Sequence, residues 1–597
     1  MAKREISSPD ASEHTSTKRV RQVAPFNPIK IATASVAANV DTNTPFSQLN
    51  DLVSKNVKPQ QEKGASVVFW MRMGDLRIRD NRALSRASEQ AHMSGLALIA
   101  LFVISPQDYI AHDTGVRRID FILRNLHALK EAFSELHIPF YVISQSQRQD
   151  IPSFVVSFCD KHCARNLYAN FQYEVDELRR DIKVFKLGNK KNIQVHLEHD
   201  KCLVDPGILV SKQGKAYAVY SPYQKTWIST LNSNIPRYLE DCSIPKPNRE
   251  SVRSLGSLAS LFDTPIPTLD EFKLEASEQS KMREVWPEGE EAASRILQKF
   301  LETKSHPSHV GAISPFSVES EESIKYSRIL KYGENRDRTD SDTTSRLSAY
   351  LTSGVISART CARATMLLLK SNKVESDRTS GVGRWLQELA WRDFYVNVLV
   401  SFPRVSMGRP YLEKFAEVVW ENHQSLQNSN LDCEDSSDDG EILKRWKAGM
   451  TGVPIVDAAM RCINEMGWVH NRARMITAMY LTKDLMIDWR VGERYFMEKL
   501  IDGDLASNNG GWQWCASTGV DPCPYFRIFN PYSQSLKADP TGNFIRHWVP
   551  ELSKLGGHDL HNPSGALADK LGYPRPIISH SAARERALRR YKNPGEV

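Results

Sequence analysis

Short apolar runs alternate with amphipathic stretches in the first third of the chain. Each run has the length of a buried strand, and the intervening stretches repeat their apolar residues at helical spacing, as in 117–133. Alternation of strand and helix is typical of a parallel sheet covered by helices. The predicted strands are SVVFWM (66–71), LALIALFVI (96–104), FYVI (140–143), NLYAN (166–170) and IQVHL (193–197).

The pattern changes along the chain in a way that predicts separate regions. Residues 1–64 are polar, aperiodic and rich in Ser, Thr and Pro, which predicts a disordered arm. Residues 65–204 form the predicted α/β domain, and 205–290, richer in Pro and Ser, a linker. From 291 to 597 helical periodicity dominates. The predicted fold class is α/β plus all-α, with a Rossmann-like parallel-sheet domain, a long linker and a large helical domain. Because no G-x-G-x-x-G follows the first strand, the usual dinucleotide site is not expected.

Composition narrows the class of protein. Of 597 residues, 41% are hydrophobic and 25% charged, as in globular proteins. No apolar run approaches the ~18 residues that span a bilayer, and no secretory-type apolar core opens the chain. Nine cysteines without metal-ligand spacing favour a reduced compartment and no metal site. The net charge of +7, with an acidic stretch at 431–441, leaves the remaining chain basic enough for a polyanionic partner.

Two small basic clusters lie in the N-terminal arm. They are Lys3-Arg4 and the run from Lys18 to Arg21. Such a pair is typical of a nuclear import signal, although basic dipeptides are common in polar tails. Mitochondrial targeting is the alternative, against which Asp10 and Glu13 argue weakly.

Between 451 and 531, tryptophans stand beside asparagines, arginines and aspartates. A core is built mainly of Leu, Ile and Val, whereas this mixture is typical of a pocket for a large planar polar ligand. The segments are TGVPIVDAAMR (451–461), GWVHNRARM (467–475) and IDGDLASNNGGWQWCASTGVDPCPYFRIFNP (501–531). In the second, Trp468, Asn471 and Met475 share a predicted helix face, which is either pocket wall or core. In a core, the Asn471 amide would need a buried partner.

Two further patterns also admit a binding and a structural interpretation. TSRLS (344–348) places hydroxyls and an arginine near a predicted helix start, as a phosphate cradle or as an ordinary helix cap. In WLQELAWRDFY (385–395), Trp385, Glu388 and Arg392 share one helix face. The structural alternative there is a Glu388–Arg392 ion pair worth about 0.3–0.5 kcal/mol.

These segments, with TSRLSAYLTSG (344–354) and WMRMGDLRIRDNRAL (70–84), closely resemble the DNA photolyase/cryptochrome family of blue-light flavoproteins. The resemblance covers roughly 65–590 and is greatest to class I cyclobutane pyrimidine dimer photolyases, and the long polar arm favours a fungal member. It implies that the helical domain binds FAD, with Arg474 pairing with Asp502 and Asn508 facing flavin N5. The implied FAD residues are Tyr332, Thr344, Ser345, Arg346, Leu347, Ser348, Trp385, Glu388, Arg392, Arg474, Asp502, Gly503, Asp504 and Asn508.

The resemblance implies light-driven repair of cyclobutane pyrimidine dimers by electron transfer from reduced, anionic FAD to a flipped-out dimer. Glu388, Asn471, Met475 and Asn508 are the implied catalytic residues; a Glu388 that donates a hydrogen bond must be protonated, with a raised pKa. Related enzymes for (6-4) photoproducts carry histidines near positions 471 and 475, so cyclobutane dimers are the expected substrate. The implied DNA contacts are Arg336, Glu388, Trp391, Arg392, Asn471, Arg472, Trp514, Arg527 and Gln534, with the tryptophans as stacking surfaces.

The resemblance also implies two auxiliary sites. Trp420, Trp489 and Trp512 match a tryptophan chain that reduces FAD under light, although each alone is more often a packing residue. His112, Asp176 and Glu177 match an antenna site for 5,10-methenyltetrahydrofolate; a deazaflavin, an empty site or a plain solvated surface are the alternatives.

Two other functions compete with repair. A cryptochrome-type photoreceptor would signal through protein partners, but Asn508, Glu388 and Met475 favour an enzyme. A flavin-free protein that binds single-stranded nucleic acid would explain the aromatics and arginines, but not TSRLS, the paired aspartates or Asn508. The expectations are thus a monomeric enzyme that acts on ultraviolet-damaged DNA, without membrane attachment, in the nucleus and also potentially in mitochondria.

Overall fold

The computed structural model describes residues 31–55, 64–306, 314–316, 322–422, 440–522 and 526–596. The two basic clusters of the N-terminal arm and residues 431–439 of the acidic stretch lie outside them.

Five parallel strands form one sheet in the order β3-β2-β1-β4-β5. The central strand β1 is buried along its whole length, as its apolar run requires when helices cover both faces. Each predicted strand is confirmed to within two residues at either end. The strands are β1 Ser66–Met71, β2 Ala97–Ile104, β3 Phe140–Ser144, β4 Ala164–Asn170 and β5 Gln194–Glu198.

Helices connect the strands, as the alternation predicts. The longest, Val116–Glu135, buries Ile119, Phe121, Ile122 and Leu126, and its bounds contain the predicted stretch 117–133. The others are Arg82–Ser94, Pro106–Ala111, Ile151–Lys161 and Val175–Lys190.

Helices also occupy the two regions in which the sequence predicted none. Ala34–Thr42 and Pro45–Ser54 lie within the predicted disordered arm, and Phe46 and Leu49 are buried, so disorder is wrong for that part of it. Thr44 accepts from the Ser47 amide and Pro45 begins the helix, which is a start signal that the arm's polar composition obscured. In 205–290 the helices are Tyr220–Ser233, Ile235–Tyr238, Gly256–Asp263 and Ala276–Val285.

The remainder of the described chain is helical and contains no named strand. Its longest helix, Gly381–Ser401, is buried over most of its length. The others are Glu290–Glu302, Tyr332–Asn335, Ser348–Thr352, Ala358–Leu368, Glu441–Ala448, Pro454–Met466, Asn471–Met479, π-helical Tyr480–Asp484, Trp489–Lys499, Leu505–Ala516, Pro531–Ala538, Asn543–Trp548, Gly557–His561, Gly565–Leu571 and His580–Lys592.

A buried ion network joins the sheet domain to the helical domain. Arg359 of the helix Ala358–Leu368 is 1% exposed and donates to Asp80 and Asp200 at 3.2 and 2.8 Å. Arg77 pairs with the same Asp200. The network therefore lies at the contact between the two domains, and removing one member would leave a buried charge without its partner.

Candidate functional site

TSRLS lies immediately before and at the start of the short helix Ser348–Thr352. No side chain caps this helix, so the helix-cap interpretation is wrong. The Thr344 hydroxyl is shielded from solvent and has no hydrogen-bond partner among the described residues. Ser348 accepts a 3.1 Å bond from the Trp468 indole, which brings this segment against GWVHNRARM. Ser345 is partly buried and Leu347 fully buried beside them.

Arg346 has a left-handed φ of 54° and is buried. A non-glycine residue in this conformation is strained, and such residues concentrate at functional sites. Its guanidinium lies 5.2 Å from the ring centroid of Trp286, which in turn lies 6.0 Å from that of Trp468. Sequence reasoning missed Trp286 because it lies in the predicted linker.

Arg474 and Asp502 form the ion pair that the resemblance implies. The distance is 2.8 Å, with the Asp502 side chain 3% exposed, and Arg474 also donates to the Val469 carbonyl. The second carboxylate oxygen of Asp502 is buried with no partner among the described residues. A buried oxygen of this kind needs a donor, which a bound ligand would supply. A side chain on the adjacent Gly503 would meet the Met497 sulfur at 3.3 Å.

Asp504 has a different partner from Asp502. Lys201, which follows β5, donates to it at 2.6 Å, and the other oxygen of Asp504 accepts from the Ser507 amide at the start of Leu505–Ala516. Burial would raise the pKa of Asp504, but Lys201 outweighs burial and the pKa is lowered. Sequence reasoning missed Lys201, because 303 residues separate it from Asp504.

Asn508 lies on the next turn of the same helix. Its amide donates at 2.9 Å to the Glu493 carbonyl, and the neighbouring Asn509 donates to the Glu493 carboxylate. One N–H of the Asn508 amide is therefore engaged, and the amide oxygen remains able to accept a bond.

Three aromatic side chains pack together, and one of them lies on the helix that carries Glu388. Phe300 lies between Tyr332 and Trp385, with ring centroids 6.0 and 5.4 Å away. All three are buried. Tyr332 and Trp385 are among the implied FAD residues, whereas sequence reasoning missed Phe300.

Glu388 pairs with Arg336 at 2.6 Å rather than with Arg392, so the predicted helix-surface ion pair is wrong. Arg392 donates to the carbonyls of Lys201 and Leu351 at 2.5 and 3.2 Å. Desolvation raises the pKa of Glu388, and Arg336 opposes the rise without cancelling it. The side chain of Glu388 is 31% exposed, so it remains open to a ligand.

Asn471 begins the helix Asn471–Met479, with His470 as its N-cap. Trp468 precedes that helix, so the prediction that it shares a helical face with Asn471 and Met475 is wrong. Asn471 is exposed rather than buried, and its amide lies 3.8 Å from the Met475 sulfur.

An ion-pair chain connects Asn471 to Glu388. Arg472, adjacent to Asn471, pairs with Asp337 at 2.8 Å, and Asp337 lies 3.7 Å from Arg336, the partner of Glu388. Glu388, Asn471 and Met475 are thus brought into one region. Asp337 was not identified from the sequence, where it is one of several acids in a polar loop.

The implied stacking surfaces and the remaining DNA candidates lie as follows. Trp391 stacks on Tyr220, with ring centroids 3.5 Å apart and planes 5° from parallel, so one of its faces is already covered. The exposed Arg527 lies 4.9 Å over the Trp514 ring. Gln534 is half-buried on the helix Pro531–Ala538.

Trp420, Trp489 and Trp512 are all buried. The amide of Glu421 donates to the Met486 carbonyl, which brings the segment of Trp420 against the one that leads to Trp489. A side chain on Gly492, one turn after Trp489, would lie 2.2 Å from the Trp512 ring. The tryptophan segments therefore follow one another in space in the order 420, 489, 512.

His112 lies 3.4 Å from Glu177 and 3.7 Å from Asp176, with Arg148 also on Asp176 at 2.9 Å. Burial would lower the pKa of His112, but the carboxylates outweigh it and raise the pKa to about 9. Glu177 is 7% exposed, so the solvated-surface interpretation is wrong for it. His112, Glu177 and Asp504 line one cavity of about 60 Å³. That is far smaller than the roughly 300–1,000 Å³ of ordinary ligand pockets, so a chromophore must lie mostly outside it.

The residues around TSRLS fit a flavin dinucleotide. The Thr344 hydroxyl and one Asp502 oxygen are buried without protein partners among the described residues, as expected of groups that bind a polar ligand.

No described helix is long and apolar enough to cross a membrane. Within the described ranges no cluster of His, Cys, Asp and Glu could hold a metal ion.

Comparison with protein families gives two matches. Residues 67–241 match the DNA photolyase family, and residues 385–593 match the FAD binding domain of DNA photolyase.

Individual relatives match over most of the chain. A deoxyribodipyrimidine photo-lyase of Neurospora crassa is 41% identical over 88% of this chain and 81% of its own length. A mitochondrial deoxyribodipyrimidine photo-lyase of Saccharomyces cerevisiae is 33% identical over 93% of this chain and 92% of its own. A bacterial class III photolyase structure from Agrobacterium tumefaciens has a TM-score of 0.70 and 27% identity over 89% of this chain and 98% of its own.

Proposed function

The chain belongs to the DNA photolyase family, and we propose that it uses blue light and reduced FAD to repair cyclobutane pyrimidine dimers in DNA. The observation that carries the proposal is the grouping of Glu388, Asn471 and Met475 through the ion pairs of Arg336 and Arg472. The spacing of these residues in the sequence does not by itself predict that they lie close together. The ion pairs bring together the segments that carry an accessible carboxyl, an exposed amide and a thioether.

FAD, when bound and reduced, supplies the electron that splits the cyclobutane ring and receives it back. The residues of this chain bind FAD and the DNA lesion, and they stabilise the negative charge on the lesion. Thr344, Arg346 and Ser348 are proposed to bind the pyrophosphate, and Arg474–Asp502 the flavin ring. Because the Asn508 amide donates to Glu493, its oxygen is proposed to accept from N5 of the reduced ring, which adds no charge to the site.

Around the dimer, Glu388 and Asn471 are proposed to donate hydrogen bonds to the pyrimidine carbonyls. A protonated Glu388 can donate such a bond, and desolvation raises its pKa in that direction. Met475 is proposed as the apolar contact of the lesion, and the uncovered face of Trp391 as a stacking surface. Arg472, Trp514, Arg527 and Gln534 are proposed to bind the DNA around it. Arg392, held by two main-chain carbonyls, is proposed to position the flavin side of the site rather than the DNA.

A repair assay tests the function. Purified protein with reduced FAD is mixed with ultraviolet-irradiated oligothymidine, and dimer loss is followed under blue light and in the dark. Loss in the light alone supports repair. Bound FAD without dimer loss would instead favour a cryptochrome-type photoreceptor, and colourless protein would favour the flavin-free alternative.

We propose that Trp420, Trp489 and Trp512 carry electrons to oxidised FAD. Trp512→Phe is expected to slow light-driven flavin reduction by about tenfold or more, because phenylalanine is much harder to oxidise. Repair by protein reduced chemically beforehand should be unchanged. The matched control is Trp446→Phe, another buried tryptophan whose ring centroid lies 6.3 Å from that of Trp512. Equal slowing in both variants would argue for a packing effect and against the chain.

We also propose an antenna site at His112, Asp176 and Glu177 for 5,10-methenyltetrahydrofolate. Because the neighbouring carboxylates raise the pKa of His112 to about 9, its charge is lost as the pH rises through about 9, and folate affinity should fall there. His112→Asn should weaken binding by about 10- to 100-fold at neutral pH, since a charge-assisted hydrogen bond contributes about 1.5–3 kcal/mol. Titration of folate absorbance measures it, with the exposed His127→Asn as control. Equal affinity in both variants would exclude His112 from the site.

Several coarser properties complete the proposal. We propose domains at 65–204 and 291–597 joined by the helical connection 205–290, and a monomer in solution. The basic clusters of the arm support nuclear import. The yeast relative's name, which includes "mitochondrial", supports a mitochondrial fraction as well.

A further inference from the structure

A cavity of the sheet domain lies at the amino-terminal edge of the sheet. It measures about 660 Å³, which is within the range of small-molecule sites. Ser66, the first residue of β1, and Ala97, the first residue of β2, line it. The His112 cavity borders Asn170, where β4 ends, so the two lie at opposite edges of the sheet. None of the residues assigned to the FAD site or to the repair site lines the groove.

Charge and polarity in this groove favour an anion. Lys161, Lys246 and Arg249 line it, and among the described residues no Asp or Glu does. The helix Gly256–Asp263 begins at its rim without a side-chain cap, which leaves amide N–H groups and the positive end of the helix dipole there.

His162 gives a second, independent indication of a ligand. It lines the groove and is 6% exposed, yet neither ring nitrogen has a hydrogen-bond partner among the described residues. Its ring packs on Phe158 with centroids 4.6 Å apart, so its position is fixed. A buried, unpaired imidazole is costly unless a ligand accepts its N–H.

Part of the groove lining is apolar. Leu96, Val252, Leu255 and Leu258 line it, and they offer a surface on which a flat ring can lie. We propose that this groove binds a mononucleotide, with its phosphate on Lys246, Arg249 and His162 and its base on the leucines. This site is separate from FAD and from the repair reaction.

Calorimetry with FAD-bound protein tests the proposal, because bound FAD blocks its own adenine-binding site. AMP is expected to bind one to one. Adenosine should bind about tenfold or more weakly, because it lacks the charged group that Lys246 and Arg249 recognise. Inorganic phosphate should also bind more weakly, because it lacks the ring. Equal affinity for AMP and adenosine, or no AMP binding, would overturn the proposal.

Variants locate the site. Lys246→Ala with Arg249→Ala should weaken AMP binding about tenfold or more, whereas Lys183→Ala with Lys186→Ala, the same charge change on an exposed helix face, should not. His162→Leu should weaken AMP binding severalfold without lowering the melting temperature, because it removes an unpaired buried group. All three proteins should repair dimers at the wild-type rate. AMP affinity that is unchanged in the Lys246/Arg249 variant would place the ligand elsewhere and overturn the proposal.

Discussion

Arg474→Ala protein is expected to bind FAD about 100-fold or more weakly than wild type, and to lose most of it during purification. Arg474 is the cation on Asp502, whose side chain is 3% exposed. Removing one partner of a buried pair costs about 3–5 kcal/mol, which corresponds to that loss in affinity. Without Arg474, the Asp502 carboxylate loses the cation that holds it in place, so the acceptor is no longer fixed in the flavin site.

The ratio of flavin absorbance to protein measures this loss, and titration with added FAD measures the affinity. Arg494→Ala is the control, since Arg494 is 47% exposed and only 4.0 Å from Asp113. Exposed pairs of this kind contribute about 0–1 kcal/mol, so FAD should remain bound. Arg474→Lys keeps the charge but loses the bond to Val469, and an intermediate affinity is expected. Full FAD occupancy in folded Arg474→Ala protein would contradict the assignment.

The sheet could be predicted from the sequence because its strands are buried on both faces. Continuous apolar runs such as that of β1 have no other simple explanation between helical stretches, and the structure confirms all five. The helices of the arm could not be predicted from their own composition. Phe46 packs against Phe171, Tyr173 and His199, which lie far along the chain, and this tertiary packing supports a helix that polar residues conceal.

Ionic partners within the site could not be predicted from helical spacing. The spacing of Glu388 and Arg392 suggested an ion pair, but Arg336, 52 residues away, takes the carboxylate. Helical arithmetic placed Trp468 with Asn471, although Gly467 has a left-handed φ of 63° and the helix begins only after His470. Spacing describes a face once the helix is known, whereas caps and distant charges decide where the helix begins and what it faces.

Glu388→Ala is expected to lower the repair rate at saturating DNA by about 10²–10³-fold, because removing one donor to a developing negative charge has that effect in other active sites. Glu388→Gln should lose far less, since its amide still donates a hydrogen bond. The two variants together separate the roles of Glu388. If the carboxylate acts as an anion, Gln will be as damaging as Ala. Single-turnover repair with reduced FAD, alongside DNA affinity, measures both.

The pH dependence of the repair rate tests the protonation of Glu388 without changing the size of its side chain. Desolvation raises the pKa of Glu388 above its usual value, so the protonated donor persists to higher pH than in water and is lost as pH rises through the raised pKa. The repair rate of the wild-type protein should therefore decrease as the pH rises, and Glu388→Gln should abolish that decrease. Loss of the decrease in the Asp337→Asn protein instead would assign the titration to Asp337.

Arg336 influences the pH at which the repair rate decreases. It lies 2.6 Å from Glu388 and favours the ionised form, so it opposes the protonation that donation requires. Arg336→Gln should raise the pKa of Glu388 further and move this decrease to higher pH, even if DNA binding weakens. An opposite shift would mean that Glu388 acts ionised.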